Sequence, residues 1–232
     1  MKIHKTSKLY YGKYPYRVET RIRGGNMIKH KQDINEILKS IPPWQSNNFK
    51  TTDIANLVNY FHASKEFFDE GFKRRAEGSF VTYYTDSHSE YTRICNKLNQ
   101  WIYCCHEPDS DFDLDMLRSK RNIIMCDKLP HGKYQYKMFL KSRMSENQKL
   151  TFLKWSENYG DNIEIPKSTY KYLAWSNRYS NRYSENYSIY IKDQKLLMMA
   201  HLFLGENIRK TYEYVLRDTQ INSVSEDTLC PT

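Results

Sequence analysis

The sequence predicts an α+β chain made of two similar halves, and three observations predict it. Residues 8–22, KLYYGKYPYRVETRI, are echoed 120 positions later by residues 128–142, KLPHGKYQYKMFLKS. A second echo keeps the same order, with FVTYYTD at 80–86 answered by YSIYIKD at 187–193, an offset of 107. Stretches with helical spacing of apolar residues follow, so strand and helix alternate alike in both halves. At 232 residues the chain can bury one large core or two small ones.

The elements follow in order. Tyr14, Tyr16, Val18, Thr20 and Ile22 alternate with Pro15, Arg17, Glu19 and Arg21, the period of a half-exposed strand. Gly24-Gly25-Asn26 turns the chain. Ile34, Ile37, Leu38 and Ile41 lie at helical spacing until Pro42-Pro43, which cannot continue a helix. A second helix is expected from Thr52, with Ile54, Leu57, Val58 and Phe61 on one face. FVTYYT at 80–85 reads as a strand, and Ser89 begins a helix whose apolar face runs from Tyr91 to Ile102. IIMC at 123–126 is a short buried strand.

In the second half, Tyr134, Tyr136, Met138 and Leu140 alternate with Gln135, Lys137, Phe139 and Lys141 as a strand. Ser145 with Gln148 has the spacing of a capping box, and Gly160 ends the helix so opened. One or two strands are expected within 163–175, another at 187–192, and Asp193 caps a helix that Gly205 closes. Alternation of Ile208, Lys210, Tyr212 and Tyr214 gives the last strand. The resulting order is β-α-β-β-α-β, the split βαβ or ferredoxin-like arrangement. The first half, 1–127, fits it with an extra helix, the second half spans 128–217, and residues 218–232 read as a polar, disordered tail. An internal duplication would account for the two halves.

Charge narrows the function. The formal net charge is +9, and the cations are clustered. Residues 1–31 hold nine Lys or Arg against Glu19 alone, and residues 118–154 hold ten against Asp127 and Glu146. Each basic stretch contains one GKYxY phrase, so the two phrases are read as surfaces for a polyanion. A strand that points tyrosines one way and cations the other offers stacking faces and phosphate contacts. Lys13, Tyr14, Tyr16, Arg17, Arg21 and Arg23 form the first candidate nucleic-acid site. Lys133, Tyr134, Tyr136, Lys137 and Lys141 form the second. Arg178 and Arg182, in the tandem SNRYSNRY, are candidates on a loop. Strict alternation carries a rival reading, in which the tyrosines pack under helices and only the cations face outward.

Other chemistry fits less well. Asp109, Asp111, Asp113 and Asp115 would share one face of a strand and hold Mg²⁺, as a nuclease or nucleotidyl transferase requires. Pro108 before them and Met116-Leu117 after them point instead to a loop and a helix N-terminus. Cys104, Cys105, His106, Cys126 and His131 lack the paired spacing of a zinc site. No HxH pair, Walker loop or Ser-His-Asp elbow occurs, so neither a catalytic residue nor a cofactor is assigned. The GKYxY phrase departs from the aromatic motif of the RNA-recognition module, since it lies on a first strand and carries Pro15 or Gln135 between its tyrosines.

The five cysteines and an N-terminus without an apolar stretch favour an intracellular, reducing setting. No run of residues is apolar enough to suit a membrane, and none is expected as a partner. The Lys-, Asn-, Tyr- and Ile-rich composition is that of an AT-rich genome, as in a virus or mobile element. The expectation is therefore a small intracellular protein that binds DNA or RNA without chemistry of its own. A metal-dependent nuclease built on Asp109–Asp115, or an oligomeric assembly protein of a virion, are the alternatives.

Overall fold

The computed structural model describes residues 2–28, 33–39, 41, 49–70, 72–174 and 187–217. The fold is α+β, with two five-stranded mixed sheets. The chain divides into two compact units, Met1–Ser119 and Lys120–Thr232.

The first unit runs β1 (Lys2–Lys5), β2 (Tyr16–Arg21), α1 (Ile34–Lys39), α2 (Thr51–Asp69), β3 (Lys73–Glu77) and β4 (Phe80–Thr85), then α3 (His88–Lys97), β5 (Ile102–Glu107) and α4 (Asp111–Ser119). The strands lie in the order β1-β5-β2-β4-β3, antiparallel except where β1 runs parallel to β5. Tyr16, Val18 and Thr20 face the core beneath the helices, where they meet Leu57, Tyr60, Phe61, Tyr91 and Ile94. Arg17, Glu19 and Arg21 point to the other face, as a period of two requires.

The second unit runs β6 (Ile123–Cys126), β7 (Tyr136–Leu140), α5 (Glu146–Glu157), β8 (Ile163–Glu164), α6 (Lys167–Ala174), β9 (Ser188–Ile191), α7 (Gln194–Leu204) and β10 (Ile208–Leu216). Its strand order is β6-β10-β7-β9-β8, again with only the first pair parallel. Helices α5, α6 and α7 all pack on Tyr136, Met138 and Leu140 through Phe152, Leu173, Leu196 and Ala200. The side chains of Ser145 and Asp193 cap α5 and α7 by accepting from the N–H of Gln148 and Leu196.

Several expectations shift. The strand 123–126 pairs with β10, so residues 120–127 go with the second unit rather than the first. Helix α3 stops at Lys97, and Trp101 keeps helical spacing only because a 3-10 turn follows before β5. Residues 167–174, expected as strand, are helix α6. Gly160 opens a 3-10 turn after α5 has ended at Glu157. Strand β3 had no apolar alternation to betray it, because only Ala76 of KRRAE is buried. The supposed disordered tail and the SNRYSNRY loop, with Arg178 and Arg182, lie outside the described residues.

The two units share more than strand order. Arg17 faces Tyr84 on one side and His106 on the other, while Lys137 faces Tyr190 and Tyr212. The last strand of each sheet in chain order, β5 or β10, slips register at the matching place, leaving Tyr103 as the extra residue in one and Arg209 in the other. The residue three beyond Tyr84 is Ser87 and that beyond Tyr190 is Asp193, and each caps the helix that follows. The structural offset here is thus 106, one less than the echo FVTYYTD/YSIYIKD implies.

Candidate nucleic-acid interface

The GKYxY phrases build the same turn twice. Tyr11 and Gly12 have φ of 54° and 69°, and His131 and Gly132 have φ of 51° and 74°. Two consecutive left-handed residues make a type I′ turn, closed by Lys13 N–H on Tyr10 C=O (3.1 Å) and by Lys133 N–H on Pro130 C=O (3.2 Å). The turn brings the next tyrosine onto a ring of the neighbouring strand. Tyr14 lies 6.3 Å from Tyr84 at 39°, and Tyr134 lies 6.1 Å from Tyr190 at 40°.

Beyond the turn, the rival reading of the tyrosines holds. Tyr16 and Tyr136 are buried in the helix-side cores, as the strand period demands. Tyr134 is also buried, its hydroxyl donating to Asp161 C=O at 3.1 Å. None of these three offers a ring face to a partner. Tyr14 is half-buried against Tyr84.

The cations fall into two groups. In the first unit they are largely matched by acids. Lys13 pairs with Asp86 (3.6 Å), Arg23 with Asp53 (3.0 Å), and Arg17 with Glu19 on its own strand. Arg17 also lies over the Tyr10 ring, 5.6 Å from its centroid. Arg21 is exposed over Phe80 at 5.8 Å. Burial beside Arg17 and His4 pushes His106 down to about 4, so its imidazole is neutral near pH 7.

In the second unit Lys133 pairs with Asp161 (3.4 Å), but Lys137 meets rings instead of carboxylates. Its Nζ lies 4.9 Å from the centroid of Tyr190 and 5.1 Å from that of Phe139. Lys210 lies 4.4 Å over Tyr212, and Arg209 lies 5.5 Å over Phe139. Phe139 and Tyr212 meet edge to face at 5.9 Å. Lys141 is exposed at the end of the strand. All these side chains belong to the face of the sheet opposite the three helices, and the rings of Phe139, Tyr190, Tyr212 and Tyr214 are half-exposed there. Burial beside Tyr190 and Cys126 raises Tyr214 to about 12, so its own hydroxyl stays protonated near neutrality.

Phe139, Tyr190, Lys210, Tyr212 and Tyr214 were not sequence candidates. The available signal was parity, since Phe139 shares its side of the strand with Lys137. Pairing of β10 and β9 on either side of β7 then supplies the other rings.

The aspartate run is not a shared ligand face. Asp111, Asp113 and Asp115 are on α4, where a spacing of two sends side chains to opposite sides. Asp113 is buried, Asp111 and Asp115 are exposed, and Asp109 holds Lys5 at 2.7 Å. Among the described residues no group of three or more His, Cys, Asp or Glu is placed to hold a metal ion. Likewise, no helix among them is long and apolar enough to cross a membrane. No protein-family model, no curated protein and no solved structure matches the chain.

Proposed function

We propose that the chain is a small nucleic-acid-binding protein whose two units are ferredoxin-like and derive from one ancestor by duplication. The duplication is supported by the paired I′ turns, the register slip at matching positions and the matching helix caps. The single observation that carries the binding role is the ring-and-cation face of the second sheet, with Lys137 between Tyr190 and Phe139. Rings half-open to solvent suit bases, and Lys137 and Lys210, held over rings rather than carboxylates, keep their charge for phosphates. The free thiols of Cys95, Cys104, Cys105 and Cys126 suit an intracellular setting.

Gel-shift titration of the full chain with single- and double-stranded oligonucleotides at low and high salt tests the proposal. Binding that weakens steeply with salt is expected, because cations that neutralise phosphates release counterions. Absence of binding to every oligonucleotide at low salt overturns it.

A further inference from the structure

Resting on that reading, we infer that the helix-free face of the second sheet takes single-stranded nucleic acid by base stacking, and that the matching face of the first sheet does not. The two faces have the same framework but different occupants. Where the second sheet has Phe139, the first has Glu19; where it has Lys210, the first has Cys104. A carboxylate thus stands on the first face where the second offers a ring to stack on.

Charge follows the same division. On the first face Arg17 is paired with Glu19 and Arg75 with Glu77 (2.5 Å), so those two arginines are neutralised locally, while Arg21 and Lys73 lie over the rings of Phe80 and Tyr11 at 5.8 and 4.7 Å. On the second face neither Lys137 nor Lys210 is ion-paired with a carboxylate among the described residues, and Glu164 at the β8 edge is the acid opposite Tyr190. The rings at the central position differ too, while Phe80 and the exposed Tyr103 meet edge to face at 5.3 Å at the far end of the first face. Tyr84 is buried, with Tyr10, Tyr11 and Tyr14 all within 6.3 Å of it. Its counterpart Tyr190 is half-exposed.

Strandedness follows from shape. Phe139, Tyr190 and Tyr212 come from three adjacent strands, so the half-exposed rings are spread across a broad sheet rather than along a narrow edge. A duplex hides its base faces in the stack and presents only edges inside its grooves, which admit a helix or a two-stranded ribbon. Bases reach rings on a broad sheet only when unpaired and splayed. The register slip at Arg209 turns an additional cation toward Phe139, beside the path a phosphate would take.

The test uses the full chain and a fluorescent oligonucleotide of about 12 nucleotides, within the span a stacking platform covers, offered single-stranded and as a duplex. Single-strand affinity should exceed duplex affinity at matched low salt. Replacing Phe139→Leu with Tyr212→Leu should weaken single-strand binding by roughly 10-fold or more per ring lost. Tyr212→Phe, which keeps the ring, should bind as the parent does. Arg75→Ala on the first face should leave affinity within about 2-fold, since that arginine already has its carboxylate.

If the parent binds but the leucine variant binds equally well, or Arg75→Ala loses as much, this inference fails while the broader proposal stands. Equal affinity for duplex overturns it as well. No binding by the parent removes both. Should the leucine variant lose its circular-dichroism melt, photo-crosslinking the parent to a thiouridine oligonucleotide decides. Adducts on peptides holding Lys137–Phe139, Tyr190 or Arg209–Tyr212 uphold the assignment, and adducts confined to the first unit refute it.

Discussion

Thr20 Oγ1 and Tyr60 Oη lie 2.7 Å apart at the buried centre of the first unit, and their neighbours fix which one donates. The Thr20 hydroxyl gives its one proton to Val81 C=O at 2.9 Å, so it accepts from Tyr60. Tyr60 in turn accepts from Tyr83, 3.0 Å away. Proton direction thus runs from β4 through α2 to β2 and back to β4, tying helix to sheet without a buried charge.

Removing the middle of this chain should be costly. In Tyr60→Phe the Tyr83 hydroxyl loses its acceptor and Thr20 its donor while the ring packing stays. A loss of about 1–2 kcal/mol is expected by chemical denaturation. An unchanged midpoint would show that the chain of hydroxyls contributes nothing.

The same burial sets an alkaline limit. Tyr83 is pushed up to about 12 by burial, and Tyr60 moves the same way, against an ordinary value near 10 in the unfolded chain. Between these values the native state holds protons that the unfolded state has released, so stability falls as pH rises. It should be intact below pH 10 and decline from about 10 to 12. Denaturant midpoints that stay level across that window would contradict the assignment.

Cys95 and Cys105 form a third testable pair, with their sulfurs 3.6 Å apart between α3 and β5. The Cys95 S–H bond lowers the Cys105 thiol, while that bond and burial raise Cys95. Diamide, a two-electron oxidant, should join them by taking one hydrogen from each. Peptide mapping should find Cys95 linked to Cys105 and Cys126 still open to alkylation. Recovery of both thiols in reduced form would refute the expected approach to about 2.05 Å.

The I′ turns can be probed at their glycines. An added Cβ meets nothing within 4 Å at Gly12 or Gly132, where φ is +69° and +74°. Gly12→Ala and Gly132→Ala should therefore each cost about 1 kcal/mol, through backbone conformation alone. Thermal melts that do not move would show that the turns relax to another shape.

Legibility in the sequence followed burial. Strand 80–85 was readable because five of its six residues are buried β-formers, and α7 because Asp193 and Gly205 bracket an apolar run. Strand β3 was hidden by its charges, which suit an edge position. α6 was hidden by Thr169, Tyr170 and Tyr172, whose preferences favour strands until packing against β9 overrides them. Of the candidate site, Lys137 was readable from alternation. Its neighbours were not, because Tyr190 and Tyr212 reach it from strands more than 50 residues away in sequence. Sequence spacing reports one strand's two sides, whereas a surface on a sheet is assembled across strands.

Each five-stranded sheet draws all its strands from one contiguous stretch, the first from residues 2–107 and the second from 123–216. During synthesis the ribosome has therefore delivered everything the leading sheet requires before the trailing one begins to emerge. The nascent leading unit can close its hydrogen-bond ladders without waiting, which shortens the time that its open strand edges can meet other chains.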